Sequence, residues 1–549
     1  MSLIFQWNCQ GLISKWAEMK QLFLFLAPII IAVQETWFLP TDSYNFSVNN
    51  YSLFRFDEVN GYRRHGGTAL YINKDFPHTE IHLNTHLQAV ACTVRLYGRN
   101  IDFCSIYIPP DFDNTCLLQS LNHLISQFHH PFVLLGDFNA HSPLWDRKRS
   151  LTDQRGHIVE DFIDSNNIVL LNKGDSTHYS FTHNSESAID LSLCSANIGT
   201  LFDWTADSDV YGSDHFPIKL FTTFNSLNDS VPNYIPRWNL KKANWTLFEE
   251  LSTIDQEEFT SPEQGIHFIM NKILTAAAAS IPKTSPPQRR KSVPWWCPEA
   301  SRAVARRKRA FRSYIRHKDI HHLIVRNHER SKTKRIIRES KRKSWQFFVS
   351  QLTMETPMSR IWGLVRSLCG KKNTSCLPAL RIQNTLITDP KVIVNTLAGV
   401  ISKSSSSDNY EPDFITTSRN NFMLPRDAFC SDGNEVYNLP FTYTELEEAI
   451  QSAGNTSVGP DGLHYHFFRK LSRKSLEFIL VTFNSLWSKN IFPDIWKETI
   501  VIPLPKPGKD KQNPENYRPI SLTSCLGKLM EKNGCKTLKL DIRGKKHSF

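Results

Sequence analysis

The sequence has no apolar stretch long enough to cross a membrane as a helix. Its most apolar run, LFLFLAPIIIAV from Leu22 to Val33, is broken by Pro28, and a span needs about 20 such residues. A secretory leader is not expected either, because the first residues carry Trp7, Asn8, Lys15, Glu18 and Lys20 where an apolar centre would lie. Cysteine is scarce in pattern: the 11 cysteines include no C-x-x-C pair and no spacing that reads as a zinc site. An odd number without a framework suits a reducing compartment. Acid is in deficit in only one part of the chain. Residues 1–220 hold 14 Lys/Arg against 23 Asp/Glu, and the rest hold 51 against 30, which together make the net charge +12. An acidic front joined to a basic back points to a polyanion partner held mainly by the second part.

What is present reads as several domains, since 549 residues exceed one ordinary domain. From Ser2 to about Phe224, short β-rich runs alternate with polar turns: SLIFQWN, IIIAVQE, YSLFRF, GTALYIN, AVACTVRL, NIDFCSIYI, PFVLLGDF, SAIDLSLCS and HFPIKLF. Many short strands with few helices between them predict a two-sheet α/β sandwich. In NTCLLQSLNHLISQF the leucines recur at three- and four-residue spacing, which predicts a helix. Arg302 to Lys343 contains 17 Lys/Arg against 3 Asp/Glu, with interleaved aromatic and aliphatic residues. That lopsided sign predicts helices that contact nucleic acid, Arg306, Arg307, Lys308 and Arg309 among them. KTSPPQRRKSVPWW reads as a Pro-rich basic connector and SKSSSSDN, residues 402–409, as a loop or joint.

In the front region, polar residues sit repeatedly at the ends of apolar strands. Asn8 follows LIFQW, Glu35 follows IIIAVQ, Asp137 and Asn139 follow FVLLG, and Asp214 and His215 open the last strand. Each alone is an ordinary cap or turn, and Gly136 reads as a turn glycine. Strand ends on one rim of a sandwich converge, so these groups would meet in one cleft, and they are of the kinds that phosphodiester hydrolysis would demand there. Glu35 and Asp214 are oxygen ligands suited to a hard divalent cation, Asp137 with Asn139 can orient and deprotonate water, and His215 can face the phosphoryl oxygens. Asp190, set among apolar neighbours in SAIDLSL, would be costly alone and relieved by a histidine.

QWNCQGL, QETWF, SIYIPP, LLGDFNAH, SAIDLSL and GSDHFPI, over residues 2–222, resemble the endonuclease/exonuclease/phosphatase family. The resemblance implies a four-layer α/β sandwich of the DNase I-like kind. It also implies Mg²⁺, with Mn²⁺ as the alternative ion, held by Glu35 with Asn8 and Asp214. Asp137 and Asn139 would then serve the attacking water, Tyr107 the phosphate, and Asp190 the orientation of His215. Further on, FTYTELEEAIQSAGNTSVGPDGLHYHFFRKL and IFPDIWKETIVIPLPKPGKDKQNPENYRPISLTSCLGKLMEK, residues 439–532, look like the amino-terminal part of a non-LTR retrotransposon reverse transcriptase, similar to jockey-type elements. Within it a Pro-rich hairpin presents Lys506, Lys509 and Arg518 to a phosphate backbone. After Gly459 the chain has no adjacent aspartate pair, so the two-metal palm of such a polymerase is not expected.

These readings divide the chain into a nuclease at 1–224, a basic and largely helical connector at 225–438, an incomplete reverse-transcriptase fingers region at 439–532, and a divergent tail at 533–549. The expected function is a Mg²⁺-dependent endonuclease of a retrotransposon polyprotein with a truncated polymerase part. It would nick duplex target DNA to leave a 3′-hydroxyl primer and also bind the element's RNA. The resemblance places it in the nucleus, with a cytoplasmic ribonucleoprotein stage and no membrane. An abasic-site repair-type endonuclease of the same fold and a catalytically dead nucleic-acid-binding remnant remain the alternatives.

Overall fold

The computed structural model describes residues 2–534, except 43–45, 47, 49, 59–63, 224–235, 256–260, 285–292, 355, 360, 364–378, 383–384, 423–438 and 455. Two compact units emerge. The first comprises Met1–Asn233, Gln288–Ala379 and Leu386–Pro390, and the second Tyr234–Pro287, Leu380–Thr385 and Lys391–Phe549. The span expected as a separate connector, 225–438, is therefore divided between them. The tail from 535 and the SPPQRRKS part of the Pro-rich segment lie outside the described residues.

The first unit is built on two six-stranded sheets. One runs β13-β14-β1-β2-β4-β3, from β1 (Leu3–Asn8), β2 (Ile30–Gln34), β3 (Tyr51–Phe56), β4 (Thr68–Asn73), β13 (Phe202–Ala206) and β14 (Ile218–Thr222). The other runs β5-β6-β7-β8-β12-β9, from β5 (His78–Ile81), β6 (Gln88–Leu96), β7 (Arg99–Tyr107), β8 (Phe132–Asp137), β9 (Ile168–Leu170) and β12 (Asp190–Ser195). Their central strands are nearly continuous apolar runs because both faces are covered. In β1 and β2, Ile4, Ile30 and Ala32 point to the core between the sheets. Phe5, Trp7, Ile31 and Val33 point the other way, under Met19 and Phe23 of α1 (Leu12–Leu26). On the far sheet, Leu117, Leu121 and Leu124 of α2 (Asn114–Ile125) and Phe162 of α3 (Gln154–Ser165) cover Leu134 and Leu193. The order helix, sheet, sheet, helix gives the expected four-layer α/β sandwich.

Above the apolar core, a buried polar layer pins one sheet to the other. Gln6 Nε2 donates to the carbonyls of Gly136 and Leu191, each at 3.1 Å. Gln34 Nε2 donates to Ser105 Oγ at 2.9 Å and to Leu135 O at 3.1 Å. Ser192 Oγ donates to Gln6 Oε1 at 2.8 Å. Such bonds have direction, so they fix how the two sheets slide against each other where dispersion contacts alone would not.

The basic segment of the first unit is a helical hairpin, α6 (Pro298–His317) and α7 (Ile320–Ser350). Pro298 suits the first turn of α6, where its missing N–H is no loss. Asp319 then caps α7 by accepting from the His322 N–H. Ala300, Ala303, Ala310, Phe311 and Tyr314 form the buried face of α6. Phe311 and Tyr314 pack on Tyr179 and Phe216 of the sandwich.

The second unit has its own core. Phe248 of α4 (Trp245–Ser252) and Ile266, Ile269 and Ile273 of α5 (Pro262–Ser280) pack with Leu446, Phe467, Ile479, Phe483, Leu526 and Leu529. GPDGL is a turn tied down at Ser524, whose hydroxyl donates to Asp461 Oδ2 at 2.5 Å. A Cβ on Gly459 would meet the Thr523 backbone at 2.6 Å. The strands Ile500–Pro505 and Tyr517–Leu522 pair as an antiparallel hairpin. SKSSSSDN is not a simple loop. Its first three residues end the helix Pro390–Ser404, and Ser407–Asn409 form a 3₁₀ turn capped by the Ser406 hydroxyl. Among the described residues no helix is long and apolar enough to cross a membrane.

Candidate active site

Strand direction brings the polar strand ends to one edge. β1 and β2 are parallel, as are β7 and β8. β12 runs antiparallel to β8 with Asp190 opposite Asp137, and β14 runs antiparallel to β1. The ends of β1, β2, β7 and β8 and the beginnings of β12 and β14 therefore share one rim. Asn8, Glu35, Tyr107, Asp137, Asn139, Asp190, Asp214 and His215 all lie there.

Asn8 Nδ2 donates to Glu35 Oε1 at 2.9 Å and to Asp137 Oδ2 at 2.8 Å. The other Glu35 oxygen accepts from Trp37 Nε1 at 3.1 Å. Asp137 Oδ1 accepts the Asn139 N–H at 3.0 Å, and Asn139 Nδ2 donates to Ile108 O at 3.0 Å. Asn139 sits at φ 49°, in the left-handed region that asparagine tolerates. Gly136 is not a turn residue. It lies inside β8, and a Cβ there would meet Ile106 O at 2.1 Å, so glycine allows the two strands to approach. The turn begins one residue later.

His215 and Asp190 form the buried floor. His215 Nδ1 lies 2.8 Å from Asp190 Oδ2, and its Nε2 is 3.9 Å from Asp137 Oδ2 and 3.8 Å from Asp214 Oδ1. Burial alone would lower the His215 pKa, but Asp190, Asp137 and Asp214 outweigh it and hold the imidazole above its ordinary value. Burial, then the charges of Asp190 and Glu35, raise Asp137 above the usual carboxylate range against the pull of His215 and Asn8. Tyr107 is raised by burial and by Glu35 and Asp137. Glu35 and Asp214 stand half-buried at the mouth.

Glu35, Asp137 and His215 each offer a ligand atom within 4.8 Å of one another, as do His178, Asp214 and His215. With the Asn8 amide nearby, an oxygen-dominated donor set of carboxylates fits a hard divalent cation. Three site neighbours escaped the sequence reading. Gln10 Nε2 donates to Asp214 Oδ2 at 2.9 Å. The His178 ring, on β10 (His178–Ser180) beside β11 (Ser185–Ser187), lies 4.7 Å from the His215 ring. Trp37 is the third. Gln10 and Trp37 lie inside QWNCQGL and QETWF, which was the available signal; His178, in a three-residue strand, gave none.

The basic residues expected to bind nucleic acid are placed differently. Arg307 is buried, donating to both Glu18 oxygens at 2.5 and 2.8 Å and to Asp209 Oδ2 at 3.0 Å. Lys308 lies 3.3 Å from Asp209, and Arg306 Nε is 3.5 Å from Glu329. Of the four, Arg309 alone is exposed without an acid partner among the described residues. A helix directs every third or fourth residue inward, so part of the basic run meets acids of the sandwich rather than solvent. Arg307 is therefore corrected from a nucleic-acid contact to an internal ion pair. In the second unit Lys506, Lys509 and Arg518 are exposed on the hairpin.

Residues 101–219 match the family described as Endonuclease-reverse transcriptase. The chain is also similar in sequence to the polyproteins of retrotransposable elements. It is 23% identical over 565 aligned positions to the RNA-directed DNA polymerase from mobile element jockey of Drosophila melanogaster, covering 96% of this chain and 57% of that protein. It is 24% identical over 444 positions to the Pol polyprotein of the type-1 retrotransposable element R1 of Bradysia coprophila, covering 75% and 42%. The chain thus spans about half the length of the curated relatives it matches. Among solved structures, the endonuclease domain of the telomere-specific retrotransposon TRAS1 is 19% identical with a TM-score of 0.35, over 41% of this chain and 100% of that one. The AP endonuclease of Leishmania major is 14% identical with a TM-score of 0.35, over 41% and 88%.

Proposed function

We propose that the first unit is a Mg²⁺-dependent endonuclease that nicks duplex DNA in the nucleus and leaves a 3′-hydroxyl able to prime reverse transcription. The observation that supports this most is the meeting of eight polar side chains, drawn from more than 200 residues of chain, in one half-buried cleft. Glu35, with Asn8 and Asp214, would hold the cation, which supplies positive charge against the phosphate. Mn²⁺ would serve in the same donors.

The chain's own groups do the rest. Asp137, more basic than an ordinary carboxylate and steadied by Asn8 and Asn139, takes a proton from the attacking water. His215, kept protonated by Asp190, faces the oxygens on which negative charge accumulates. Tyr107 closes the phosphate side. Cleavage of the P–O3′ bond gives a 5′-phosphate and, after protonation, a 3′-hydroxyl. Element RNA is the expected ligand of exposed cations such as Lys506, Lys509 and Arg518 in the second unit.

The test is a substrate comparison with the full chain and its His215→Ala variant: intact supercoiled DNA, an abasic duplex and a phosphomonoester. Cleavage of intact DNA, lowered about 10²- to 10⁴-fold by the substitution, supports the reading. Activity confined to the abasic duplex or the monoester refutes it.

A further inference from the structure

Beside the catalytic cleft lies a cavity of about 400 Å³ with an unusual wall. The sandwich contributes Gln10, Ser180, Thr182 and Asp214, and the opposite wall is Arg326 and Arg330 of α7. Arg326 is 8% exposed, yet no carboxylate pairs with it among the described residues. Its guanidinium lies 4.0 Å over the Phe181 ring and, among the described residues, donates only to the neighbouring Asn327 side chain. Burial, then the charge of Arg330, pushes it down to about 10. Arg330 donates to Gly212 O at 3.2 Å, while its Nε is buried with no hydrogen-bond partner among the described residues. Arg326 is held out of water with no carboxylate paired to it among the described residues, which is costly, and with the half-buried Arg330 beside it the cavity favours a negatively charged guest.

The charge continues along the same face of α7. Arg330, Lys334, Arg338 and Lys341 line a second cavity of about 340 Å³, together with Lys15. Their spacing of four, four and three residues keeps them on one side of the helix, with a rise of about 6 Å for each four residues. These cations differ from Arg307 and Lys308, which are paired with acids.

We propose that α7 completes the substrate groove of the nuclease. Arg326 and Arg330, facing Gln10, Ser180 and Thr182 beside Asp214, bind a phosphodiester flanking the scissile one, and Lys334, Arg338 and Lys341 carry the same strand onward. The inference rests on the endonuclease reading above and adds that the sandwich alone lacks part of its DNA site. Arg326 and Arg330 are positioning residues, because they act on a neighbouring phosphate and not on the reacting one.

Binding and cleavage separate the two claims. With the full chain carrying Asp137→Ala, binding of a fluorescent 30-base-pair duplex is followed by anisotropy between 50 and 200 mM KCl. Arg330→Gln should lower the slope of log K against log salt by about 1, and Lys334→Gln with Arg338→Gln by about 2. The second pair is exposed, so its effect stands even if altering the buried face perturbs folding. In the active chain Arg330→Gln should raise KM at least tenfold and change kcat less. Unchanged slopes and KM in a chain that nicks DNA would overturn this inference alone. A chain that never nicks but binds with the expected slopes would overturn the nuclease reading alone. Loss confined to a single-stranded RNA competitor would overturn the assignment of the groove to DNA.

Discussion

Arg307→Ala should loosen the α6–α7 hairpin from the sandwich. The side chains of Arg307, Glu18 and Asp209 are only 10%, 12% and 2% exposed, and the guanidinium satisfies both acids. Burial opposes its charge, but Glu18 and Asp209 outweigh it and raise its pKa. Removing it strands two buried carboxylates, and breaking such a pair costs about 3–5 kcal/mol. Lys308, 3.3 Å from Asp209, remains as partial compensation, which puts the loss near the lower figure. About 3 kcal/mol is roughly two powers of ten in an equilibrium. Amide hydrogen exchange on the full chain should therefore show protection within residues 298–317 falling about a hundredfold. Replacing the whole cluster, as Arg307→Met with Glu18→Gln and Asp209→Asn, should restore most of it, because no unpaired charge is left. Less than a threefold loss in Arg307→Ala, or equal loss in the triple variant, would show that the ion pair does not hold the hairpin to the sandwich.

Other outcomes follow from the same geometry. Gly136→Ala places a Cβ within 2.1 Å of the Ile106 carbonyl and should cost about 1–3 kcal/mol in denaturant unfolding; no loss would mean that β7 and β8 can part freely. His178 is pushed down to about 4 by burial and then by His215. An unfolded histidine takes its proton near pH 6.5, so stability from the neutral ring is present above that pH and is lost as pH falls toward 4. In EDTA, His178→Gln should remove about one proton's slope from this acid limb, and parallel curves would contradict the assignment. Finally, the chain has no adjacent aspartate pair after Gly459, so these 549 residues should not extend a primer on an RNA template with Mg²⁺ and all four triphosphates; robust extension would show that the palm chemistry resides elsewhere in the chain.

The site was legible because its residues stand at the ends of strongly apolar strands, where a polar group is conspicuous and strand direction decides where it goes. Nine such strands were readable from their apolar runs. β5, β9, β10 and β11 were not, being three or four residues long, and β13 (FDWTA) was not because it is short and carries few aliphatic residues. His178 was lost with β10. Gln6 and Gln34, which lock the sheets beneath the cleft, were visible as polar breaks in LIFQW and AVQE, but their partners are on the opposite sheet and no local pattern names them. Gly136 read as a turn because glycine usually marks one, whereas here it answers a close approach by β7. The sign of the basic run was plain, but which cations face acids depends on helix phase against the sandwich. That phase assigns Arg307 to Glu18 and Asp209 and leaves Arg326 and Arg330 beside the cleft.

The measurement that bears most directly on the account is supercoiled-plasmid nicking by the full chain with Mg²⁺, alongside Asp137→Ala and an EDTA control. The expected result is open-circular product whose 3′ ends a DNA polymerase can extend, abolished by EDTA and reduced at least a hundredfold by the substitution. Nicking that survives Asp137→Ala, or 3′ ends that cannot be extended, would contradict it.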